Sequence, residues 1–169
     1  LTFLDDLTKA KRLLENINIA FKGTAKIGPF EIDFQTAQLM ISKADNPNGK
    51  SNQNVVRPWM NGLDITGRLR NMWIIDFGAS MTIEEASLYE APFEYVKKHV
   101  YPERQKNRRS HRVERWWLHG DPYHALRLAI ANLRRYIGTP VTAKYRPFIW
   151  LNSPTLPDQQ IIVFARDDD

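Results

Sequence analysis

The chain has 169 residues, of which 43% are hydrophobic and 25% are charged, and this length is sufficient for one domain with a substantial core. It contains no cysteine, which excludes disulfides and thiolate metal sites and agrees with a reducing interior. No stretch reaches the run of about 18 apolar residues that a membrane span requires, and the net charge of +5 is modest.

The chain begins with a predicted amphipathic helix. Leu4, Leu7, Leu14 and Ile17 recur at helical spacing, so residues 3–16 are expected to be helical. Residues 1–18 would then form a leading helix or linker within a single domain, 1–169. The first residues lack the pattern of a secretory signal and include no initiator Met, so we expect the chain to be a piece of a longer protein.

Short strands and a capped helix are predicted next. Ile19–Phe21 and Phe30–Ile32 are strand-like runs separated by glycine turns. Asp33 is a suitable N-cap for a helix over Phe34–Ser42. The stretch 45–54 contains Asn-Pro-Asn-Gly and predicts a loop.

The middle of the chain predicts one buried strand and one capped helix. Residues 61–67 are rich in turn formers, and Met72–Phe77 is a continuous apolar run, which is typical of a central strand. Thr82 and Glu85 form a capping box that opens a helix toward Tyr101, with a possible kink at Pro92.

The last third predicts a helix followed by β structure. Asp121-Pro122 is a typical helix start, and this helix is expected to reach about Leu133. Three β-rich runs follow, over residues 136–142, 147–151 and 160–165. The predicted fold class is therefore α+β, with a mixed β-sheet and flanking helices.

Positive charge is concentrated in two segments. Lys97–Arg115 contains eight basic residues and two Glu, and Arg127–Arg146 contains five basic residues and no acid. Together they carry +11, so the remainder of the chain carries −6. If the two segments lie on one face, the protein has one basic surface of the kind that binds a polyanion, although a charge run is often only a solvated face.

The sequence lacks the motifs of a catalytic centre. The four His, at 99, 111, 119 and 124, do not have the spacing of a zinc protease site, and no Glu-x-Lys supports metal-assisted DNA cleavage. The phosphate-binding, dinucleotide-binding and nucleophile-elbow glycine motifs are also missing. Asn46-Pro47-Asn48 is interpreted as a turn, because no aromatic residue follows to stack on a flipped base. We predict neither a catalytic nor a metal site.

The first basic segment contains candidate DNA contacts in a stretch that is too polar for a core. Arg and Lys neutralise phosphates, and Arg can also form bidentate contacts with base edges. The adjoining Trp116-Trp117 pair is expected to pack in the core instead of stacking on bases. The candidates are Arg104, Lys106, Arg108, Arg109 and Arg112.

The second basic segment contains candidates for base recognition. On an extended backbone Lys144 and Arg146 would point the same way, with Tyr145 opposite, and two long donors on one side suit the acceptor edge of guanine. The alternative is that these cations touch only phosphates and that Tyr145 packs in the core. The candidates here are Arg135, Thr142, Lys144, Tyr145 and Arg146.

Several short stretches are informative in combination. They are Ile19–Thr24 with Gly28 and Phe30, Asn46–Gly49, Val55–Trp59, Asn61–Ile65, Trp73–Gly78, Tyr89–Glu94, Arg115–Trp117 and Arg135–Pro140. This combination resembles the target recognition domain of large bacterial adenine-specific DNA methyltransferases, in particular single-chain type II restriction–modification enzymes. The similarity extends over nearly the whole chain.

The resemblance implies a function that composition does not indicate. A domain of this family binds duplex DNA and selects the adenine, while a methyltransferase domain of the same chain binds S-adenosylmethionine and contains the catalytic motif. The fragment itself would then need no cofactor and would not be an enzyme, and the parent would be a cytoplasmic bacterial protein with no membrane partner. The region after the Thr-Pro pair, residues 141–146, is where the resemblance implies base reading.

Two other classes remain open. An RNA-binding domain is compatible with the charge, but it would favour exposed aromatic residues on a sheet face, whereas the aromatic residues here lie in apolar runs. A basic protein-interaction module with an acidic partner is also compatible with the charge.

Overall fold

The computed structural model describes residues 14, 17–43 and 46–168. Except for Leu14, the predicted helix over residues 3–16 lies outside the described residues. The helices are α1 (Phe34–Ser42), α2 (Gly62–Thr66), α3 (Ile83–Ser87), α4 (Glu90–His99), α5 (Tyr101–Arg104), α6 (Ser110–Glu114) and α7 (His124–Ile130), with one 3-10 turn at Asn52–Asn54. The strands are β1 (Ala20–Lys22), β2 (Glu31–Ile32), β3 (Val56–Met60), β4 (Trp73–Ile75), β5 (Arg135–Pro140), β6 (Ile149–Asn152), β7 (Leu156–Pro157) and β8 (Ile161–Phe164).

The strands form two sheets of four strands each. The first sheet has the order β1-β8-β5-β6 and is antiparallel throughout. The second sheet has the order β2-β4-β3-β7, and only its β3–β7 pair is parallel. The α+β class is confirmed, with strands divided between two sheets where the sequence predicted one.

The larger core lies around the second sheet and the helices that cover it. Val96 and Val100 at the carboxyl end of α4 are fully buried in it. Trp116 and Trp117 belong to the same cluster and are 8% and 9% exposed. The expected core packing of this Trp pair is therefore confirmed. The central members on the sheet are Phe30, Val55, Val56, Trp59, Ile74, Ile75 and Phe77.

A smaller core lies between α7 and the first sheet. Leu126 and Ile130 on α7 meet Tyr136, Leu151, Ile161 and Val163 from the strands. The Tyr136 hydroxyl donates a hydrogen bond to the Thr155 carbonyl at 2.6 Å, so a large ring is buried without leaving its polar atom unpaired. Thr155 lies just before β7, so this bond attaches the first sheet to the second.

The Asp76 carboxylate joins the two cores. It lies just after β4 and accepts two hydrogen bonds from the Arg127 guanidinium on α7, at 2.7 and 2.9 Å. Arg57 on β3 approaches the same carboxylate at 3.5 Å and donates to the Ser153 and Pro154 carbonyls on the chain leaving β6. These cations outweigh the effect of burial and hold the pKa of Asp76 well below its usual range.

His119 completes the surroundings of this carboxylate as a neutral ring. Its Nε2 lies 2.9 Å from the Ile75 carbonyl, which identifies Nε2 as the protonated nitrogen that donates there. Burial lowers the pKa of His119 to about 4, so the ring is uncharged at neutral pH. Its Nδ1 lies 3.8 Å from Asp76.

Several predicted local structures are confirmed. The Asp33 side chain accepts the Thr36 N–H at 2.7 Å and begins α1 over the predicted residues. Thr82 and Glu85 form the predicted capping box at α3. The apolar run around Ile74 is a central strand, β4, between β2 and β3. These elements could be predicted because a short side chain or a local apolar run determines each of them.

Other boundaries were predicted wrongly. Residues 62–66 form a helix instead of turns, because Asn61 and Asp64 satisfy each other's backbone N–H groups in a second capping box. Pro92 lies in the first turn of α4 and does not kink a continuous helix. Asp121 does not cap α7, because its backbone pairs with Ala25 and its carboxylate binds Arg112.

The strands of the second sheet were only partly anticipated. β3 contains Pro58, which argues against a strand by propensity, yet β3 pairs with both β4 and β7. β7 has only two residues and forms no periodic pattern. Both strands depend on partners that are distant in sequence.

Removing the Asp76 charge should destabilise the protein. Asp76→Asn is expected to lower the free energy of unfolding at pH 7 by about 3–5 kcal/mol, because it leaves the Arg127 guanidinium without its buried counter-charge. The folded-state pKa of Asp76 is depressed, so its contribution is complete above about pH 5 and declines as the pH falls through about 4. Denaturant unfolding from pH 3 to 7 should show the difference in unfolding free energy between wild type and variant shrinking below about pH 4.

Asp168→Asn, which alters an exposed ion pair, serves as the control and should change the free energy of unfolding little at any pH. Equal unfolding curves for wild type and Asp76→Asn would contradict this role.

Candidate nucleic-acid interface

The first basic segment surrounds α5 and α6 at the surface. Lys106, Arg108 and Arg109 lie in the connection between these helices, and all three are exposed. None of them forms an ion pair with a described carboxylate. The prediction that this stretch is too polar for the core is therefore confirmed for these three residues.

Arg104 differs from the rest of this segment. It was expected in an exposed stretch, but it is 2% exposed at the end of α5. Its Nη2 donates to the carbonyls of Lys26 and Leu118, at 3.1 and 2.9 Å, and its guanidinium lies 5.6 Å from the Phe30 ring centroid. The expectation that the whole stretch is too polar for the interior is thus wrong at Arg104, because backbone carbonyls solvate the guanidinium inside the protein.

Arg112 is intermediate in exposure between the buried Arg104 and the exposed cations of this segment. Its side chain is 11% exposed, and its Nη2 lies 3.3 Å from the Asp121 carboxylate. A substitution at Arg112 therefore changes an internal ion pair as well as a surface charge. Arg115, at the end of α6, is exposed.

The second basic segment includes a long loop between β5 and β6. Residues 141–148 contain no regular structure, and Thr142, Lys144, Tyr145 and Arg146 lie in it. Thr142, Lys144, Tyr145 and Arg146 are all exposed. The prediction that these side chains project from a connection between strands is confirmed. Arg146 donates from Nη2 to the Val141 carbonyl at 3.1 Å, which brings the two ends of the loop together.

The side chains in this loop do not alternate as an extended strand would require. The Lys144 ammonium lies 5.3 Å from the Tyr145 ring centroid, so these neighbours are adjacent and not on opposite sides. Tyr145 is 79% exposed, which excludes the alternative that it packs in the core. Arg135 repeats this pairing on the strands, with its guanidinium 3.9 Å from the Trp150 ring centroid.

Aromatic residues are more exposed here than the sequence suggested. Phe148 and Trp150 are 60% and 42% exposed, and the ring centroids of Phe148 and Phe164 lie 6.0 Å apart. Exposure of Tyr145, Phe148 and Trp150 therefore removes the feature that counted against RNA. Trp150 is exposed because side-chain alternation on β5 and β6 buries Tyr136 and Leu151 and turns Arg135 and Trp150 outward.

A pocket at the base of the loop contains the predicted Thr142 and further polar residues that sequence reasoning missed. Its volume is about 380 Å³, and its lining includes Lys22, Thr142, Gln159 and Gln160. Both Gln side chains lie in the exposed connection between β7 and β8. Glutamine amides are suited to adenine edges. The only sequence signal was an adjacent Gln pair after a turn.

The two basic segments approach opposite ends of the short stretch of residues 22–26. Lys22 shares the pocket at the base of the loop with Thr142, and the Lys26 carbonyl accepts from Arg104. Residues 22 and 26 are at most roughly 14 Å apart along the chain. One residue of each segment therefore lies near this stretch, Thr142 near its start and Arg104 at its end.

The described residues contain no group of three or more His, Asp or Glu arranged to hold a metal ion. No helix among them is both long and apolar enough to cross a membrane.

Comparison with known proteins finds a similarity of fold. No family model matches the chain, and no curated protein matches its sequence. Ten chains of solved structures match it significantly. One of them is from the structure of the Type IIL restriction-modification enzyme MmeI in complex with DNA, with a TM-score of 0.65 and 12% sequence identity.

The match covers 89% of this chain and 19% of the MmeI chain. Nearly all of this fold thus recurs as a segment of a much longer restriction-modification protein. At 12% identity the likeness concerns the fold, and it confirms the α+β class.

The β5–β6 loop should tolerate substitution without loss of stability. Tyr145→Ala is expected to change the free energy of unfolding by less than about 0.5 kcal/mol, because the ring is exposed and contacts mainly Lys144. Tyr136→Ala, at the buried Tyr of the neighbouring strand, is the matched control and should cost about 3–5 kcal/mol. Denaturant unfolding of both variants measures this. A large destabilisation by Tyr145→Ala would mean that the loop supports the fold.

Proposed function

We propose that this chain is the target recognition domain of an adenine-N6 DNA methyltransferase of the restriction–modification kind, and that it binds duplex DNA sequence-specifically. The observation that carries this proposal is the set of cations without acidic partners on two loops of a fold that recurs in MmeI. Lys106, Arg108 and Arg109 would contact phosphates. Lys144 and Arg146 lie on a loop whose length would let it enter a groove.

The charge arrangement supports duplex DNA over a solvated basic face. Cations without acidic partners bind phosphates more readily, because no existing ion pair has to break first. Lys97, outside the proposed contacts, has Glu94 at 3.5 Å, whereas Arg108, Arg109 and Lys144 have no described acidic partner.

We propose that the chemistry belongs to other parts of the parent protein. The matched segment is 19% of the MmeI chain, which leaves room in such an enzyme for a domain that binds S-adenosylmethionine and transfers the methyl group. That domain would be this chain's partner within the same protein, in the bacterial cytoplasm. The purified 169-residue chain would then neither methylate nor cut DNA.

Exposed cations between α5 and α6 should contribute sequence-independent binding. Arg108→Gln with Arg109→Gln is expected to weaken binding to unrelated duplexes by similar factors. The slope of log K against log salt should flatten by about 0.9 for each phosphate that the variant no longer neutralises. Lys43→Gln with Lys50→Gln removes two exposed cations outside both segments and should leave binding unchanged. Fluorescence anisotropy at several salt concentrations would measure both pairs, and equal curves for all three proteins would remove this segment from the interface.

A second candidate function is supported by the exposed rings of Tyr145, Phe148 and Trp150. Aromatic rings beside cations are suited to stacking single-stranded bases. The same anisotropy titration with single-stranded DNA, single-stranded RNA and heparin separates the candidates. Preference for duplex supports the recognition domain, preference for single strands supports the second candidate, and equal affinity for heparin indicates binding by charge alone.

Lys144 should determine preference at one position of the site. Lys144→Ala is expected to relax discrimination at one base pair, by about 1–3 kcal/mol, because a long donor no longer reaches the base edge. Selection from a random duplex library with the wild type and the variant would measure this, as would mapping of methylated sites in the parent enzyme. Arg109→Ala is the control and should weaken binding without altering preference. Uniformly weaker binding by Lys144→Ala would indicate a phosphate contact instead.

A further inference from the structure

Arg104 is a buried cation without an acidic partner among the described residues. It is 2% exposed, and its Nη2 donates to two carbonyls, of Lys26 and Leu118. Its Nε and Nη1 have no hydrogen-bond partner among the residues that the structure describes. Buried charges in proteins are normally paired, since an unpaired one costs several kcal/mol of desolvation. The exposed cations nearby do not share this feature.

A second arginine adjoins Arg104 and adds positive charge. The Nε of Arg112 is also buried without a described partner, and its Nη2 reaches Asp121 at 3.3 Å. The Asp121 side chain is 48% exposed, so water screens much of its charge. Burial, and then the charge of Arg112, lower the pKa of Arg104 to about 10, which still leaves Arg104 charged at neutral pH. The partly solvated Asp121 carboxylate pairs with Arg112 and forms no ion pair with Arg104.

Both arginines line one small pocket. Its volume is about 70 Å³, and its wall includes His119 and Gly120. It reaches the surface beside His111 and Arg115, which are exposed. This volume exceeds the roughly 10–15 Å³ that one water requires and is far below the ~300 Å³ of a typical organic-ligand site. It is suited to one small ion or group.

The wall of this pocket is held by close backbone packing. The Gly120 N–H donates to the Lys26 carbonyl at 3.1 Å, and a Cβ on Gly120 would overlap the Ile27 side chain and lie 3.3 Å from Arg112 Nε. Ile27 itself has φ +48°, which is rare for a β-branched residue. The position of Arg112 therefore depends on a tightly constrained turn.

We propose that this pocket binds a single phosphate group through Arg104 and Arg112. Guanidinium N–H groups bind phosphate oxygens with short charge-assisted hydrogen bonds, and unpaired donors in a buried site are already desolvated for that purpose. Arg115 and His111 at the mouth would meet the rest of a ligand too large to enter. In so far as the phosphate comes from a DNA backbone, the inference rests on the proposed function; a free phosphate would use the same contacts.

Inorganic phosphate titrated into the purified 169-residue chain tests the pocket. Thermal unfolding with sodium chloride at equal ionic strength as the reference should show a saturable rise in Tm. Arg112→Gln is expected to weaken this effect by about tenfold or more, because it removes a charged donor. Arg68→Gln, at an exposed arginine outside the pocket and outside both basic segments, should respond as the wild type does. Arg104→Gln is a second variant, used if circular dichroism shows that it folds. The absence of any effect beyond ionic strength, or a wild-type response from Arg112→Gln, would overturn the proposal.

Duplex DNA distinguishes the source of the phosphate. If the pocket holds a backbone phosphate, Arg112→Gln should lower duplex affinity, flatten the salt slope by about one, and make inorganic phosphate a weaker competitor. If Arg112→Gln abolishes phosphate binding but leaves duplex affinity unchanged, the pocket is retained and its phosphate does not come from DNA. A chain that binds phosphate through Arg112 but binds no DNA would retain the pocket and overturn the proposed function. DNA binding without any phosphate response would overturn the pocket and retain the proposed function.

Discussion

The buried carboxylate of Asp76 holds the two parts of the fold together. It terminates a strand of the second sheet, and it binds a guanidinium on the helix that covers the first sheet. Arg57 extends the same network to the chain that leaves β6. A buried carboxylate is costly unless its hydrogen bonds are complete, so the geometry of Arg127 and Arg57 is constrained more strongly than hydrophobic contact would require. The relative position of the two cores follows from this constraint.

Some cations of this protein have an internal role, and others can serve a surface function. Arg57 and Arg127 are used inside the protein, whereas Arg108, Arg109 and Lys144 lie on connections outside both cores. A packed core tolerates substitution when its apolar pattern is retained, which is compatible with a fold shared with MmeI at 12% identity. Charged loops on such a core can change without disrupting the fold.

The sequence by itself determined the elements that depend on local chemistry. The Asp33 cap, the Thr82 capping box, the central strand around Ile74 and the Trp116-Trp117 core residues were all predictable, because each depends on a few adjacent side chains. The two concentrations of positive charge could also be read directly. The α+β class followed from the mixture of these patterns.

Only the tertiary structure decided how distant residues meet. Asp76 and Arg127 are 51 positions apart, and Arg104 reaches a carbonyl 78 positions away, so no local pattern could indicate either pair. The division into two sheets depends on β3 and β7, whose pairing overrides the Pro58 signal. The exposure of Trp150 depends on which side of β6 faces α7. Sequence patterns report which residues prefer burial, whereas long-range packing determines which of them are buried.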